Sequence, residues 1–136
     1  MFTYFFFNEA LPTNYIRLPL LSYFDVAFNE IEGSLPMFEN VAQIYFRSNT
    51  FTGSIPTEYG LLEDLTELDL DYNADITGSV PNELVECDKL TLLSIRGTGI
   101  SRNVTFCDSS RGNIKVILSD MSICGEECEC CCVTSQ

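Results

Sequence analysis

The side chains that could perform chemistry are unevenly represented in this 136-residue chain. Histidine is absent, which excludes serine–histidine and cysteine–histidine nucleophilic mechanisms and histidine-based zinc sites. Carboxylates are abundant, since 20 Asp and Glu stand against 7 Lys and Arg and give a formal charge of −13. That charge disfavours binding to nucleic-acid phosphates. No pattern marks a pocket that would separate the pKa values of two carboxylates, so we predict a non-enzymatic protein without a cofactor.

The acidic residues are concentrated in one part of the chain. Ten of them lie between residues 58 and 88, where no basic residue occurs. Residues 69–75 imitate the start of an EF-hand calcium loop, but the glycine after Asn73 is missing and Val80 occupies the twelfth position. We therefore exclude an EF-hand and predict no metal site. A looser calcium contact at residues 73–75 stays open beside a solvated acidic flank that selects basic partners.

The elements that must position these residues follow from an internal repeat. Related Gly-Ser-x-Pro strings end at Pro36, Pro56 and Pro81, and each follows an apolar frame of the form LxxLxL. A fourth, weaker copy of the frame spans residues 90–95. Alternating apolar and polar residues predict one short strand per copy. Because a single unit cannot bury its apolar face alone, we predict stacked units that share a continuous core.

An asparagine follows the strand in three of the four copies. Asn29, Asn49 and Asn73 occupy this position, and Thr98 replaces asparagine in the fourth copy. A side-chain amide at this point can satisfy backbone groups that the tight bend leaves unpaired. We therefore predict that the three residues form a structural asparagine ladder.

The full pattern, LxxLxLxxNxLxGxIP with a period of about 24 residues, resembles plant-type leucine-rich repeats over residues 12–105. The resemblance implies an α/β-type repeat solenoid. This is a right-handed superhelix with one parallel β-sheet on its concave face and mostly irregular or 3₁₀ structure on its convex side. The Thr-Gly-Ser steps imply a second, smaller sheet. We assign residues 1–105 to about four to five units, the first degenerate or truncated. Residues 106–136 are assigned to a last strand at 114–118 and a Cys-rich C-terminal cap.

The resemblance also implies that the outward-facing strand positions form a ligand surface. Stacking of parallel strands about 4.8 Å apart should align like positions in rows. One row contains Asp25, Tyr45, Asp69 and Ser94. The next contains Ala27, Arg47, Asp71 and Arg96, and its alternating charges could simply hold the sheet together. Exposed aromatic and arginine side chains favour binding over a solvated face without a partner. The candidate ligand-binding residues are Tyr23, Asp25, Phe28, Tyr45, Arg47, Asp69, Asp71, Tyr72 and Arg96.

Five of the seven cysteines lie after residue 123. This tail resembles the disulfide caps of secreted leucine-rich-repeat proteins and the crowded Cys endings of algal ones, and a thiolate zinc site is the alternative. An odd count leaves at least one thiol free or paired outside the chain. Cys87 is expected to be buried and free, and Asn103 begins the one N-glycosylation tripeptide. The disulfide candidates are Cys107, Cys124, Cys128, Cys130, Cys131 and Cys132.

The resemblance implies a non-catalytic recognition module, extracellular or at the cell surface and receptor-like, that binds a protein, peptide or glycan through its concave sheet. The alternatives are a structural or metal-holding Cys-rich protein and a fragment of a larger leucine-rich-repeat receptor. The sequence shows no apolar run long enough for a membrane span and no signal peptide. The apolar residues 2–7 would leave the first repeat uncapped, so self-association is expected.

Overall fold

The computed structural model describes residues 10–11, 18 and 20–101, together with the backbone of 115–117. These residues form nine short β-strands and two 3₁₀ helices, with no α-helix among them. The strands are β1 (Tyr23–Asp25), β2 (Glu32–Ser34), β3 (Gln43–Tyr45), β4 (Thr50–Thr52), β5 (Glu67–Asp69), β6 (Thr77–Gly78), β7 (Leu92–Ser94), β8 (Gly99–Ile100) and β9 (Lys115–Ile117). The 3₁₀ helices are η1 (Thr57–Leu61) and η2 (Asn82–Glu86).

The main sheet is five-stranded and parallel throughout, in the order β1-β3-β5-β7-β9. Its register pairs Asp25 with Tyr45, Tyr45 with Asp69, and Asp69 with Ser94, which confirms the first predicted row. Strand β9 confirms the strand expected within residues 114–118. The apolar frame that all four copies share therefore sets which residues lie side by side across four strands, although the copies differ in length.

A second set of short parallel strands follows the turn in each copy. Strand β2 pairs with β4, β6 pairs with β8, and a single bridge joins Gly53 to Ile76 between the two pairs. These strands include Thr52 and Thr77 of the Thr-Gly-Ser steps, as predicted. The structure therefore contains parallel sheets and short 3₁₀ helices without long helices in its described residues, in agreement with the coarse form of the predicted fold.

The two 3₁₀ helices pack against each other and contribute Tyr59 and Leu84 to the core. Each begins after a proline in an extended conformation, Pro56 before η1 and Pro81 before η2. No helix forms between Pro36 and Val41, where the sequence has lost about one turn. Helices η1 and η2 pack so closely that a Cβ on Gly60 would lie 2.7 Å from the carbonyl carbon of Glu83. Glycine at this position is thus required by the close approach of two backbones.

The core fills the space between the main sheet and the back of the molecule. The central strand residues Ile44, Leu68 and Leu93 are fully buried, and so are many of their neighbours in the repeat frame. Aromatic rings fill the core near the N-terminal strands, where the ring centroids of Phe46 and Phe51 are 4.8 Å apart. Each fully buried large apolar side chain contributes about 1.5–3 kcal/mol. Among the described residues, no helix has the length and apolar character needed to cross a bilayer.

Candidate ligand-binding face of the main sheet

The side of the main sheet that points away from the core carries the predicted ligand-binding residues, and we call it the polar face. Successive residues of a strand point to opposite sides of the sheet. In β3, for example, Ile44 is buried while Gln43 and Tyr45 are half-buried. The polar face comprises the outward residues of β1, β3, β5 and β7 and the turns that follow them. Its members among the candidates are Tyr23, Asp25, Phe28, Tyr45, Arg47, Asp69, Asp71, Tyr72 and Arg96.

A left-handed residue ends each copy of the frame. Phe28, Ser48, Tyr72 and Gly97 have φ values of 58°, 55°, 57° and 64°. Each stands directly before the asparagine position, so the turn itself imposes this conformation on whichever residue occurs there. Glycine tolerates it freely, whereas bulky side chains adopt it rarely. Two of the four positions nevertheless carry large aromatic side chains, and both are exposed.

The buried asparagines join neighbouring copies of the repeat. Asn49 Nδ2 donates to the carbonyl oxygen of Phe46 at 3.0 Å and to that of Val26, in the preceding copy, at 2.9 Å. Asn49 Oδ1 accepts from the backbone N–H of Ile31 at 3.0 Å. Asn73 repeats this arrangement one copy later, with Phe46 as its acceptor in the preceding copy. A buried amide that satisfies three or more backbone groups fixes the turn and the spacing of the copies together.

The ends of the asparagine ladder make fewer bonds. Asn29 Nδ2 donates to the carbonyl oxygens of Val26 and Ala27 within its own turn, at 2.9 and 3.2 Å. Thr98, at the fourth position, donates to the carbonyl oxygen of Ile95 at 2.8 Å. A hydroxyl has one hydrogen where an amide has two. The hydrogen bonds of the Thr98 hydroxyl, to the Ile95 carbonyl oxygen and from the Ile100 N–H, accordingly stay within its own copy.

Asp71 is buried on the polar face rather than exposed to a ligand. Its side chain has no exposed surface, and its Oδ1 accepts from Ser94 Oγ at 2.6 Å and from the backbone N–H of Arg96 at 2.8 Å. Its Oδ2 accepts from Arg96 Nε at 2.7 Å and lies 2.6 Å from Nη2. The hydrogen bond to Asp71 raises the pKa of Arg96. Ser94 and Arg96 thus occupy both carboxylate oxygens, and contact between Asp71 and a ligand stays a prediction.

Arg47 lies between two aromatic rings at the turn end of the polar face. Its guanidinium carbon is 5.7 Å from the ring centroid of Phe28 and 5.2 Å from that of Tyr72. The Tyr72 ring also contacts Arg96, at 6.0 Å. Both rings belong to left-handed residues of the turns. The structure thus brings four predicted site residues, Phe28, Arg47, Tyr72 and Arg96, into one contiguous stack, in which cation–π contacts contribute about 0.5–1 kcal/mol each at exposed sites.

A second group of site residues lies nearer the start of the strands. The rings of Tyr23 and Tyr45 are 5.4 Å apart, and Tyr23 donates its hydroxyl hydrogen to Asp25 at 3.2 Å. Tyr45 donates to Glu67. Desolvation, followed by the interaction with Glu67, raises the pKa of the Tyr45 hydroxyl, so Tyr45 is a neutral donor at physiological pH. This group presents aromatic surface and carboxylates together.

Asp69 lies between the two groups. Its Oδ1 accepts from the backbone N–H of Asp71 at 2.9 Å, and desolvation raises its pKa. Asp25 makes the equivalent bond to the N–H of Ala27 at 2.9 Å, so both carboxylates cap the turn that follows their strand. These bonds are local, and the second oxygen of Asp25 is the one that accepts from the Tyr23 hydroxyl.

Sequence reasoning did not assign roles to Glu67 or Ser94, which act as partners of Tyr45 and Asp71. The strand register carries the signal that could have found them. Glu67 pairs with Gln43, two residues before Tyr45, and a long side chain reaches that diagonal neighbour. Ser94 pairs with Asp69 in the same row. It therefore lies near the end of β5, where Asp71 is buried. Hydrogen-bond partners on neighbouring parallel strands can therefore be found from the strand register, and the repeat pattern gives that register.

The cysteine predictions are tested only in part. Cys87 is buried and free, as expected; its Sγ–H donates to the Tyr59 carbonyl oxygen at 3.2 Å, and desolvation raises its pKa to about 11. Among the described residues, no group of three or more Asp, Glu or Cys side chains is placed to hold a metal ion. The glycosylation and disulfide candidates lie outside the described residues, namely Asn103, Cys107, Cys124, Cys128, Cys130, Cys131 and Cys132.

No protein-family model matches this chain, and no curated protein matches it. The family resemblance therefore depends on the repeat pattern of the sequence alone.

Proposed function

We propose that this chain is a non-catalytic recognition module, built as a plant-type leucine-rich-repeat solenoid, that binds a protein, peptide or glycan through the polar face. The observation that carries the proposal is the exposure of aromatic rings on a face whose backbone is held by buried hydrogen bonds. Tyr23, Phe28 and Tyr72 are 53%, 58% and 51% exposed. Aromatic and arginine side chains dominate binding energy at protein interfaces. We place the recognition outside the cell or at its surface, as part of the same proposal.

The rigidity of the face supports recognition rather than a merely solvated sheet. The turns that hold Phe28 and Tyr72 are followed by Asn29 and Asn73, whose amides bind the backbone of the turn. A preorganised surface loses little conformational entropy when a partner binds, so more of the contact energy becomes affinity. The neutral Tyr45 hydroxyl and the nearby carboxylates add polar groups that can set the orientation of a partner.

The proposal is tested with peptides selected from a display library against the full chain. Binding of the selected peptides is then measured for Tyr45→Ala and Tyr72→Ala, with Leu61→Ala as the control because Leu61 is 75% exposed on η1, away from the polar face. We expect each tyrosine variant to weaken binding about tenfold and the control to bind normally. Peptides that bind both tyrosine variants with unchanged affinity would contradict the proposed role of the polar face.

A further inference from the structure

Arg47 lacks a hydrogen-bonded carboxylate within the described part of the chain. The nearest one is Asp71, whose Oδ2 lies 3.9 Å from Arg47 Nη1, beyond hydrogen-bond distance. That oxygen already binds Nε and Nη2 of Arg96 at 2.7 and 2.6 Å. In addition, Arg47 Nε is buried and has no hydrogen-bond partner among the residues that the structure describes. A buried donor without an acceptor is costly and calls for a specific explanation.

The charges around Arg47 do not balance at hydrogen-bond range. Asp71 is a single buried carboxylate shared by two guanidinium groups, so the trio carries one excess positive charge. On the other side of Arg47 in the row stands Ala27, which supplies no charge. Asp69 acts on Arg47 only through space, and its own pKa is raised by desolvation. About a third of the Arg47 side chain is exposed, so a partner can reach it.

The two rings beside Arg47 are not required by the turns that hold them. The same left-handed position is occupied by Ser48 and Gly97 in the other copies, which shows that the turn forms without an aromatic residue. Phe28 and Tyr72 adopt this uncommon conformation while about half of each side chain stays exposed. The pair forms an apolar surround for the Arg47 guanidinium.

We propose that Arg47 binds a carboxylate of the partner, an Asp or Glu side chain that lies beside an apolar group. The proposal rests on the recognition function above and names one part of the ligand. A planar guanidinium offers parallel N–H donors that match the two oxygens of a carboxylate. Phe28 and Tyr72 contact the neighbouring apolar group. A phosphate would bring up to two negative charges close to Asp69, and this repulsion favours the singly charged carboxylate.

The probe is 3-phenylpropanoate, a carboxylate with an aromatic group, and its neutral amide is the matched control ligand. Each is titrated into the ¹⁵N-labelled full chain while the arginine Nε–H resonances are recorded. We expect a saturable shift of the Arg47 resonance with the carboxylate and none with the amide. Arg47→Gln should weaken the probe about tenfold or more, since it removes a charged bidentate donor. Arg47→Lys keeps the charge but loses the planar pair of donors, so it should also weaken binding.

Lys89→Gln is the control variant, because Lys89 is a cation paired with Asp64 at 2.5 Å, away from the polar face. It should bind the probe normally. Unchanged affinity in Arg47→Gln, equal binding of the amide, or tighter binding of phenyl phosphate would each overturn the proposal. If the probe fails while Tyr45→Ala still weakens the selected peptides, the carboxylate site is wrong and the recognition function stands. The reverse result would refute the recognition face and leave the carboxylate site in place.

Discussion

Asp71→Asn removes one charge from the most buried polar cluster of the polar face. The substitution preserves the size of the side chain and can leave an oxygen that accepts from Ser94 Oγ and the Arg96 N–H. It replaces the oxygen that binds the Arg96 guanidinium with an NH₂ group. A donor then faces the donors of Arg96, and the guanidiniums of Arg47 and Arg96 lose the buried carboxylate that lies between them.

The size of the effect follows from the burial of the partners. Breaking a buried ion pair by removing one partner costs about 3–5 kcal/mol, because the remaining charge is left uncompensated. Asp71 is fully buried, but the Arg96 and Arg47 side chains are 21% and 33% exposed, so water can partly solvate them after the change. We therefore expect the lower end of this range, a loss of about 3 kcal/mol in the free energy of unfolding.

Urea unfolding of the full chain measures this loss. With a urea dependence of about 1–3 kcal/mol per molar, the midpoint should fall by about 1–3 M. Asp69→Asn is the matched control, since Asp69 lies two residues earlier, is half-buried, and accepts a hydrogen bond from a backbone N–H. Asparagine retains that acceptor, so the control should change the free energy by less than about 1 kcal/mol. Equal urea midpoints for the two variants would refute the reasoning that the buried ion pair between Asp71 and Arg96 stabilises the fold.

Three further outcomes follow from single contacts. Gly60→Ala should lower the free energy of unfolding by about 2 kcal/mol because its Cβ meets the backbone of η2. A Cβ on Gly53 would meet no atom within 4 Å, but the φ of 84° strains an alanine there, so Gly53→Ala should lower the free energy of unfolding by only about 1 kcal/mol. Equal urea midpoints for Gly60→Ala and Gly53→Ala would contradict this difference. Asn73→Ala should destabilise by about 1–2 kcal/mol more than Asn29→Ala, because Asn73 is fully buried and makes more hydrogen bonds, and thermal unfolding compares the two. Burial raises the pKa of Tyr59 well above 10, so the unfolded chain releases this proton first and stability should fall as the pH rises beyond about 10. Tyr59→Phe should flatten that fall in circular dichroism, and an unaltered alkaline profile would argue against it.

The strand register was predictable because every copy carries the same LxxLxL frame, even though one copy is shorter than the others. Leu68 and Leu93 lie 25 positions apart in equivalent frames, and parallel pairing places them side by side. Pro56 and Pro81 stand directly before the 3₁₀ helices, and proline fixes an extended entry and cannot continue a strand ladder, so these starts can be read from the sequence. The missing helix after Pro36 was visible as a shorter spacing. Local rules and periodicity therefore give most of the described architecture.

The burial of individual charged side chains was not predictable from the same pattern. Asp69 and Asp71 alternate identically with apolar residues, yet one stays half-exposed and the other is fully buried. The difference arises because Arg96, one copy later, folds over Asp71 while the Tyr72 ring packs against Arg96. Such burial depends on long side chains from a neighbouring strand. A single repeat unit contains no information about those side chains.

The row formed by Ala27, Arg47, Asp71 and Arg96 explains why one arginine is structural and the other is available. Asp71 has an arginine on each side and binds the one whose backbone N–H and neighbouring Ser94 complete its hydrogen bonds. Arg47 would be satisfied by an acid at position 27, but alanine stands there. The positive charge that remains lies between two exposed rings on an otherwise acidic chain. A partner whose carboxylate binds Arg47 on the Ala27 side would place a negative charge where the row has none, so that charges would alternate along the whole row.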